Sequence, residues 1–340
     1  MKALVTGSTG FIGSHLCRAL LVQGIEVRAF HRSSSLTRSL ADLPVEHVTG
    51  DMTRPESLKT ALEGVDVVFH TAALMNSQAE VGRLYTVIVE GTRALLEAAQ
   101  EIGVKRFIYT SSAAALGKPE TVGKEIEPVL LNEAHTWNMA PQDWPYGYAK
   151  YLAEMEVQKA VFAGLDAVIL NPTLVFGAGD YNRQGNSLIV KVARQKLPGV
   201  TAGGVNVVHI DDVVDGHLAA MTNGRRGERY ILGGKNMTHA TLLKLIAEVT
   251  GKPAPMLEIP AGLLRAASVP LRLLRHYSNL PFSPELFHMA GLYFYYDTSR
   301  SRQVLGLKTA RPVMDALREA YAWFQEIGTL PAAEPASPKP

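Results

Sequence analysis

The sequence predicts an α/β fold in which a doubly wound parallel sheet is followed by a smaller, mostly helical C-terminal lobe. Three observations indicate this fold. Short β-branched runs alternate with longer amphipathic stretches through the first half of the chain. A glycine-rich turn joins the first run to the first amphipathic stretch. After Asn171-Pro172 the alternation ends and glycines become frequent, so a second unit is expected to begin there.

The apolar runs of the first half are short, as expected of strands that are buried on both faces of a parallel sheet. We predict strands over residues 2–5, 26–30, 45–49, 66–70, 104–110 and 166–171. Between them, apolar residues recur at helical spacing. We predict helices over residues 11–23, 55–62, 81–102 and 146–162.

The second half divides less clearly. Residues 206–210 form a strand-like run that leads into a helix opened by Asp211 and Asp212, and residues 228–232 are a further strand candidate. Beyond residue 235 the pattern is mostly helical. We therefore expect a nucleotide-binding domain over residues 1–175, a substrate lobe over 176–327 from which 205–233 return to the first domain, and a flexible tail over the proline-rich 328–340.

Composition excludes several classes of protein. The 340 residues are 47% hydrophobic and carry a net charge of +2, without a basic block that would indicate a nucleic-acid partner. Cys17 is the single cysteine and is expected to be a small buried residue, and the ten histidines have no metal-site spacing. The apolar run over 257–274 is interrupted by charges and prolines. We expect a cytoplasmic protein without a membrane span, a secretory signal or a metal, acting on a small-molecule substrate.

The glycine-rich turn predicts a dinucleotide site. It reads Thr6-Gly7-Ser8-Thr9-Gly10-Phe11-Ile12-Gly13, and it lies between the first strand and the first helix. In such a turn the first glycine allows the sharp bend, the second lets a pyrophosphate approach, and the third lets helix and strand pack closely. The free N–H groups of the helix then face the phosphates. We predict a Rossmann unit that binds a nicotinamide dinucleotide.

Charge near the second strand favours NADP(H) over NAD(H). An acidic residue at its end would bind the ribose 2′-hydroxyl of NAD, yet no acid lies between Glu26 and Asp42. Arg32 follows the strand, and its guanidinium has the geometry to pair with a 2′-phosphate. Ser33 or Ser34 could add hydroxyl groups. A solvated Arg32 without this role is the alternative.

Tyr146 and Lys150 are four residues apart, so on a helix they share one face. Free tyrosine has a pKa near ~10 and is a poor acid or base at neutral pH. We expect the Lys150 cation to lower the pKa of Tyr146, which could then exchange a proton with a carbonyl oxygen as hydride is transferred. Tyr148 points to another face of the helix and is expected to pack or to form a substrate wall.

Several motifs in the same order resemble the extended branch of the short-chain dehydrogenase/reductase superfamily, over residues 1–325. They are the GxxGxxG spacing of Gly7, Gly10 and Gly13, Asp51 after Gly50, His70-Thr71-Ala72-Ala73, Tyr109-Thr110-Ser111-Ser112, Tyr146-Gly147-Tyr148-Ala149-Lys150, Asn171-Pro172 through Gly177, and Val208-His209-Ile210-Asp211-Asp212. The resemblance implies that Ser112, rather than Ser111, binds the reacting oxygen and that Lys150 also holds the nicotinamide ribose. It implies that Asp51 contacts the adenine end.

On this resemblance the catalytic residues are Ser112, Tyr146 and Lys150. The cofactor-binding residues are expected to be Gly7, Thr9, Gly10, Phe11, Ile12, Gly13, His31, Arg32, Ser33, Asp51, Met52, Thr71, Ala72, Ala73, Thr110, Ser111, Tyr146, Lys150, Asn171 and Pro172. His209 is expected to be structural. One departure stands out: Ile88 occupies the place where the family often has an asparagine that feeds a proton relay. Water or another group must then serve the relay, and the nearby Asn76 lies outside the motif.

The C-terminal lobe is apolar and aromatic, and its 259–299 segment resembles dihydroflavonol reductases and 3β-hydroxysteroid dehydrogenases. We therefore expect an NADP-dependent oxidoreductase acting on a moderately apolar ketone, aldehyde or secondary alcohol. The first alternative is a nucleotide-sugar epimerase or dehydratase with tightly bound NAD, for which Arg183, Lys191, Arg194 and Arg302 could bind a diphosphate. The second is a dinucleotide sensor without turnover. The helices over 81–102 and 146–162 carry apolar stripes, and the resemblance implies a homodimer, because the equivalent helices of this family commonly pair across a dimer interface. Stripes that only face the sheet are the alternative.

Overall fold

The chain is organised around one seven-stranded parallel sheet. The computed structural model describes residues 1–74, 81–120, 128–181, 187–274 and 284–332. The strands of the sheet are β1 (Lys2–Thr6), β2 (Glu26–His31), β3 (Glu46–Thr49), β4 (Val67–His70), β5 (Arg106–Thr110), β6 (Ala167–Pro172) and β9 (Arg229–Leu232). They lie in the order β3-β2-β1-β4-β5-β6-β9, and every neighbouring pair is parallel. The predicted doubly wound α/β fold is confirmed.

Helices cover both faces of this sheet. The helices of the first domain are α1 (Phe11–Val22), α2 (Pro55–Leu62), α3 (Val81–Tyr85), α4 (Gly91–Ile102) and α5 (Pro145–Phe162). Leu58 of α2, Leu95 of α4 and Val157 of α5 share one buried cluster with β-strand residues. Leu16 and Leu20 of α1 belong to the cluster on the opposite face. Cys17 is buried beside them, as expected, and burial raises the pKa of its thiol to about 12.

The helix predicted over residues 81–102 is not uniform. Between α3 and α4, Thr86–Glu90 form a π-helical turn. A π turn widens the helix by one residue and changes the partners of its carbonyl groups. The side-chain hydroxyl of Thr92 donates to the carbonyl oxygen of Ile88 at 2.5 Å, which is an interaction that hydrophobic periodicity cannot predict.

The remaining residues form a lobe beside the carboxyl ends of β5 and β6. The helices of this part of the chain are α6 (Ser187–Ala193), α7 (Ile210–Asn223), α8 (His239–Thr250), α9 (Ala261–Leu274), α10 (Pro284–His288), α11 (Ser299–Leu305) and α12 (Val313–Glu326), of which α7 and α11 pack on the large sheet instead. A small sheet joins β7 (Leu174–Phe176), β8 (Gly204–His209) and β10 (Lys235–Thr238) in the order β10-β8-β7. Helices α6, α8 and α12 pack with this sheet around a separate apolar cluster.

The segment 205–233 was expected to return to the first domain, and the structure divides it. Strand β8 pairs within the small sheet, whereas α7 packs on α1 and β9 extends the large sheet beside β6. Of the expected tail, residues 333–340 lie outside the described part of the chain. Within the described part, no helix has the length and apolar character needed to cross a bilayer.

Candidate active site

A cavity of about 510 Å³ opens at the carboxyl ends of the central strands, where β1, β2, β4, β5 and β6 end. Open parallel sheets bind ligands at this edge. The sequence-predicted residues that line it are Gly7, Thr9, Gly10, Phe11, Ile12, Gly13, His31, Arg32, Asp51, Met52, Thr71, Ala72, Ala73, Thr110, Ser111, Ser112, Tyr146, Lys150 and Pro172. The structure thus brings together side chains and turns that are up to 165 residues apart in the sequence, from Gly7 to Pro172.

Two predicted cofactor residues do not line the cavity. Ser33 is exposed beyond its rim, where Ser35 lines the wall instead. Asn171 is fully buried behind the wall. Lining residues that the sequence did not single out are Phe30, Ser35, Gly50, Thr53, Leu74, Arg83, Thr86, Val87, Thr173, Leu174 and Val175.

The turn between β1 and α1 is shaped for a phosphate group. Gly7 has a φ of +66°, and a Cβ atom there would lie 2.7 Å from the Cα of Ala72. A Cβ atom on Gly13 would lie 2.3 Å from the carbonyl oxygen of Gly7, so α1 packs directly on the turn. Helix α1 has no side-chain cap and no acidic residue in its first turn. Its first N–H groups and its dipole therefore suit an anion at the cavity wall, and this cradle fits the pyrophosphate of a dinucleotide.

The residues that follow β2 and β3 provide one cation and one anion at the rim. Arg32 lines the cavity and is exposed, and among the described residues it has no ion-pair partner. Asp51 is held in place because its Oδ1 accepts hydrogen bonds from the backbone N–H of Thr53 at 2.9 Å and from its hydroxyl at 2.8 Å. The hydrogen bond from the Thr53 backbone is the main reason why the pKa of Asp51 lies below its usual value, and nearby Arg32 adds to it.

Ser112, Tyr146 and Lys150 line the same cavity from the end of β5 and the start of α5. Burial raises the pKa of Tyr146 to about 12, opposed by a hydrogen bond with Ser112. Burial lowers the pKa of Lys150 to about 7, opposed by the charge of Glu154. The expected lowering of the Tyr146 pKa by Lys150 is wrong for this structure, because desolvation of the phenolate outweighs other effects.

Behind these residues lies a buried carboxylate that the sequence did not reveal. Glu154, one turn after Lys150, is fully buried. Its Oε1 accepts hydrogen bonds from the Ser111 hydroxyl at 2.5 Å and from Asn171 Nδ2 at 2.7 Å, and its Oε2 lies 2.7 Å from Arg229 Nη2. Asn171 Nδ2 also donates to the backbone oxygen of Ser112 at 2.8 Å. Ser111 and Asn171 thereby link Glu154 to the end of β5, and Ser111 and Ser112 both line the cavity.

Other side chains that might have been catalytic have structural contacts. Tyr148 packs among the rings of Tyr85, Trp137 and Tyr151. His209 is buried, and its Nδ1 accepts the backbone N–H of Asp211 at the start of α7. Among the described residues no cluster of His, Cys, Asp or Glu could hold a metal ion. Asn76 and Arg183 lie outside the described residues.

Comparison with known proteins identifies a matching family and similar proteins. Residues 3–233 match the model of the NAD dependent epimerase/dehydratase family. A protein of Synechocystis sp. that is provisionally named dihydroflavonol 4-reductase is 35% identical over 95% of this chain and 94% of its own. Sterol demethylase protein B of Methylococcus capsulatus is 34% identical over 97% of this chain and 100% of its own. A crystal structure of a nucleoside-diphosphate-sugar epimerase from Pseudomonas aeruginosa has a TM-score of 0.79 and 27% identity, covering 97% of this chain and 99% of that one.

Proposed function

Because this chain belongs to the NAD-dependent epimerase/dehydratase family, we propose that it transfers hydride between NADP(H) and a moderately apolar ketone, aldehyde or secondary alcohol. Family membership confirms the prediction of an NAD(P)-binding enzyme with a Rossmann fold, of the extended short-chain dehydrogenase/reductase type. The relatives that are named as reductases agree with the prediction of an oxidoreductase. The observation that carries the proposal is the convergence of Ser112, Tyr146 and Lys150 on the cavity that contains the glycine turn. A dinucleotide bound there supplies the hydride chemistry.

The chain's own residues have distinct parts in this reaction. Ser112 binds the reacting oxygen and, through its hydrogen bond with Tyr146, aligns the phenol. With a pKa near 12, Tyr146 carries its proton at neutral pH and can donate it to the developing alkoxide of a carbonyl substrate. Lys150 holds the ribose and provides positive charge near the phenol. Carbonyl reduction requires this protonated form of Tyr146, whereas alcohol oxidation would require the phenolate.

Arg32 supports NADP(H) as the cofactor. Its guanidinium lines the rim, without an ion-pair partner among the described residues, where the ribose of the adenine half would lie. A 2′-phosphate would give it a bidentate partner. Asp51, the acid among the lining residues, already accepts hydrogen bonds from Thr53.

The lining also supports an apolar substrate. Leu74, Val87, Leu174 and Val175 contribute aliphatic side chains to the cavity, and pockets for uncharged organic ligands are mostly lined in this way. The aromatic residues of the C-terminal lobe that are described do not line it. A nucleotide-sugar substrate would need cations for its diphosphate. Lys191, Arg194 and Arg302 do not line the cavity, whereas Arg83 of α3 does. Turnover would exclude the second alternative, a dinucleotide sensor.

We also propose that the protein is a homodimer. The outer face of α5 has partly exposed apolar side chains at helical spacing, at Tyr148, Tyr151, Leu152 and Met155, and it ends at Phe162, which is 95% exposed. The helix thus presents apolar side chains on the face that turns away from the sheet, which a second copy could cover.

The first test measures loss of nicotinamide absorbance when the purified protein receives NADPH or NADH with a panel of aromatic and aliphatic ketones and aldehydes. We expect turnover with NADPH, and a rate at least about 10²-fold lower in Tyr146→Phe because the proton donor is lost. Tyr148→Phe is the matched control on the same helix and should keep the wild-type rate.

Two results would contradict these expectations. No turnover with any carbonyl, together with NAD that copurifies and stays bound, would overturn the reductase and favour the nucleotide-sugar epimerase or dehydratase. Equal loss of rate in Tyr146→Phe and Tyr148→Phe would remove Tyr146 as the proton donor.

A further inference from the structure

A continuous set of buried hydrogen bonds begins at Lys150 and leads away from the cavity. Lys150 Nζ donates to the backbone oxygen of Thr110 at 2.8 Å and to the hydroxyl of Tyr109 at 3.4 Å. The Tyr109 hydroxyl is in turn hydrogen-bonded to Thr92. His70 Nε2 lies 2.9 Å from Thr92 Oγ1. All of these side chains are buried.

The donors and acceptors of this set allow one direction for every proton. Thr92 uses its single proton to bind the carbonyl oxygen of Ile88 at 2.5 Å, so its oxygen can only accept from Tyr109 and His70. His70 must then carry its proton on Nε2, and its Nδ1 accepts from the Thr6 hydroxyl at 2.7 Å. Neutral His70 agrees with its burial, which lowers its pKa to about 3.

The hydroxyl of Tyr109 connects this set of hydrogen bonds to Lys150. The oxygen of Tyr109 accepts from Lys150, whose ammonium group can only donate. The acceptor at the far end is the Ile88 carbonyl in the π-helical turn Thr86–Glu90. Ile88 has no polar side chain, but its backbone oxygen anchors the set through Thr92.

We infer that Tyr109 is a positioning residue, whose hydroxyl, oriented by Thr92 and His70, holds the Lys150 ammonium group at the cofactor cavity. The inference rests on the proposed function, since it assigns to Lys150 a task in that same site. It also explains how the chain dispenses with an asparagine at position 88. The anchor is built from β4, β5 and α4, which are rigid elements of the core, rather than from a side chain of the widened turn.

Several groups influence the charge of Lys150, and they act from different elements. They are Tyr109 on β5, His70 on β4, Tyr146 and Glu154 on α5 itself, and Arg229 on β9 through its ion pair with Glu154. Burial lowers the pKa of Lys150 to about 7, and the charge of Glu154 opposes this. Removing the Tyr109 hydroxyl withdraws an acceptor from the charged form only and leaves the other groups in place.

The test compares the pH dependence of NADPH affinity and of carbonyl reduction in the wild type and in Tyr109→Phe. Lys150 loses its charge as the pH rises through its pKa, so affinity for the anionic cofactor should fall in the same range. In Tyr109→Phe we expect this fall at a pH lower by about one unit, because a hydrogen bond to a charged group is lost. Reduction at neutral pH should be roughly tenfold slower.

Two further variants separate positioning from stability. Thr92→Val should shift the profile in the same direction as Tyr109→Phe, whereas Thr92→Ser keeps the hydroxyl and should restore the wild-type profile. Tyr230→Phe is the matched control, because Tyr230 is also a buried tyrosine in a β-strand. Among the described residues its hydroxyl accepts only the backbone N–H of Arg225, at 3.0 Å. It should leave the profile unchanged.

Each outcome bears on the inference separately from the proposed function. An unshifted binding profile in both Tyr109→Phe and Thr92→Val would overturn it, and so would an equal shift in Tyr230→Phe. If the wild type binds NADPH but reduces no carbonyl, the proposed reaction fails, while a shifted binding profile in Tyr109→Phe still supports the positioning role. If Tyr109→Phe does not fold, the two Thr92 variants decide.

Discussion

Two residues one helical turn apart show how burial acts on groups of opposite charge. Burial favours the neutral form of each group, so it raises the pKa of Tyr146 to about 12 and lowers that of Lys150 to about 7. The first shift keeps a proton on the phenol. The second makes the charge of Lys150 sensitive to its few hydrogen-bond acceptors. A site of this kind is suited to donating a proton at neutral pH, and it depends on the groups that hold Lys150.

At the rim of the cavity, Arg32 is expected to decide the choice of cofactor. Arg32→Ala should weaken NADPH binding by about tenfold to a hundredfold, which corresponds to the loss of a hydrogen-bonded ion pair, and should leave NADH binding nearly unchanged. Titration of the cofactor fluorescence measures both. Arg38→Ala is the control, because the Arg38 guanidinium lies 4.0 Å above the ring of Tyr181 and does not line the cavity. Equal weakening of NADPH and NADH would show that Arg32 does not read the 2′-phosphate.

Residues differ in how far the sequence could reveal them. The spacing of Tyr146 and Lys150 was informative because the pair follows a dinucleotide motif and a Ser-Ser strand end, whereas such a pair alone is common at the start of a surface helix. Glu154 continues the same face, but a glutamate in a helix is usually solvated, so its sequence position gave no sign of burial. Its partners Ser111, Asn171 and Arg229 come from three strands, and only the order of the sheet brings them together.

At the scale of elements, the contact between the glycine turn and α1 determines whether the phosphate cradle exists. A methyl group on Gly13 would lie 2.3 Å from the Gly7 carbonyl oxygen. Gly13→Ala should therefore force α1 away from the turn, with a loss of about 1–3 kcal/mol in the free energy of unfolding and a loss of cofactor binding. Thermal unfolding with and without NADPH measures both effects.

Gly82→Ala is the matched control for that variant. Gly82 is also helical, and a Cβ atom there would have no neighbour within 4 Å. Since alanine is the better helix former, this change should leave stability equal or slightly higher. A Gly13→Ala protein with wild-type stability and wild-type affinity would show that the close packing of α1 on the turn is not required.

The strands and helices of the first domain were predictable because buried parallel strands and amphipathic helices have distinct periods. The π-helical turn Thr86–Glu90 was not, because it depends on a hydrogen bond from Thr92 and on packing against α5. The division of residues 205–233 between two sheets could not be predicted from the sequence either. Strand β8 is as apolar as the strands of the large sheet, and its pairing with β7 and β10 depends on the tertiary fold.

For the whole molecule, the sequence identified the family, the fold and the enzyme class, because the motifs occur along most of the chain. The oligomeric state could not be predicted from the sequence in the same way. A stripe of apolar residues on a helix can face the sheet or a second copy, and periodicity alone does not distinguish the two. In the structure α5 buries Ala149, Ala153 and Val157 against the sheet, and it still leaves apolar side chains on its outer face. That outer face is what a dimer interface would use.

The last prediction therefore concerns the oligomeric state. Light scattering of the purified protein should give a mass near twice the 36.9 kDa of one chain. Met155→Glu places a charge on the outer face of α5 and should yield a monomer, because an unpaired charge buried at an interface costs several kcal/mol. Val22→Glu, at a position on α1 that is 84% exposed, should remain a dimer. A wild-type monomer, or a Met155→Glu dimer of unchanged affinity, would mean that the outer face of α5 is not a dimer interface.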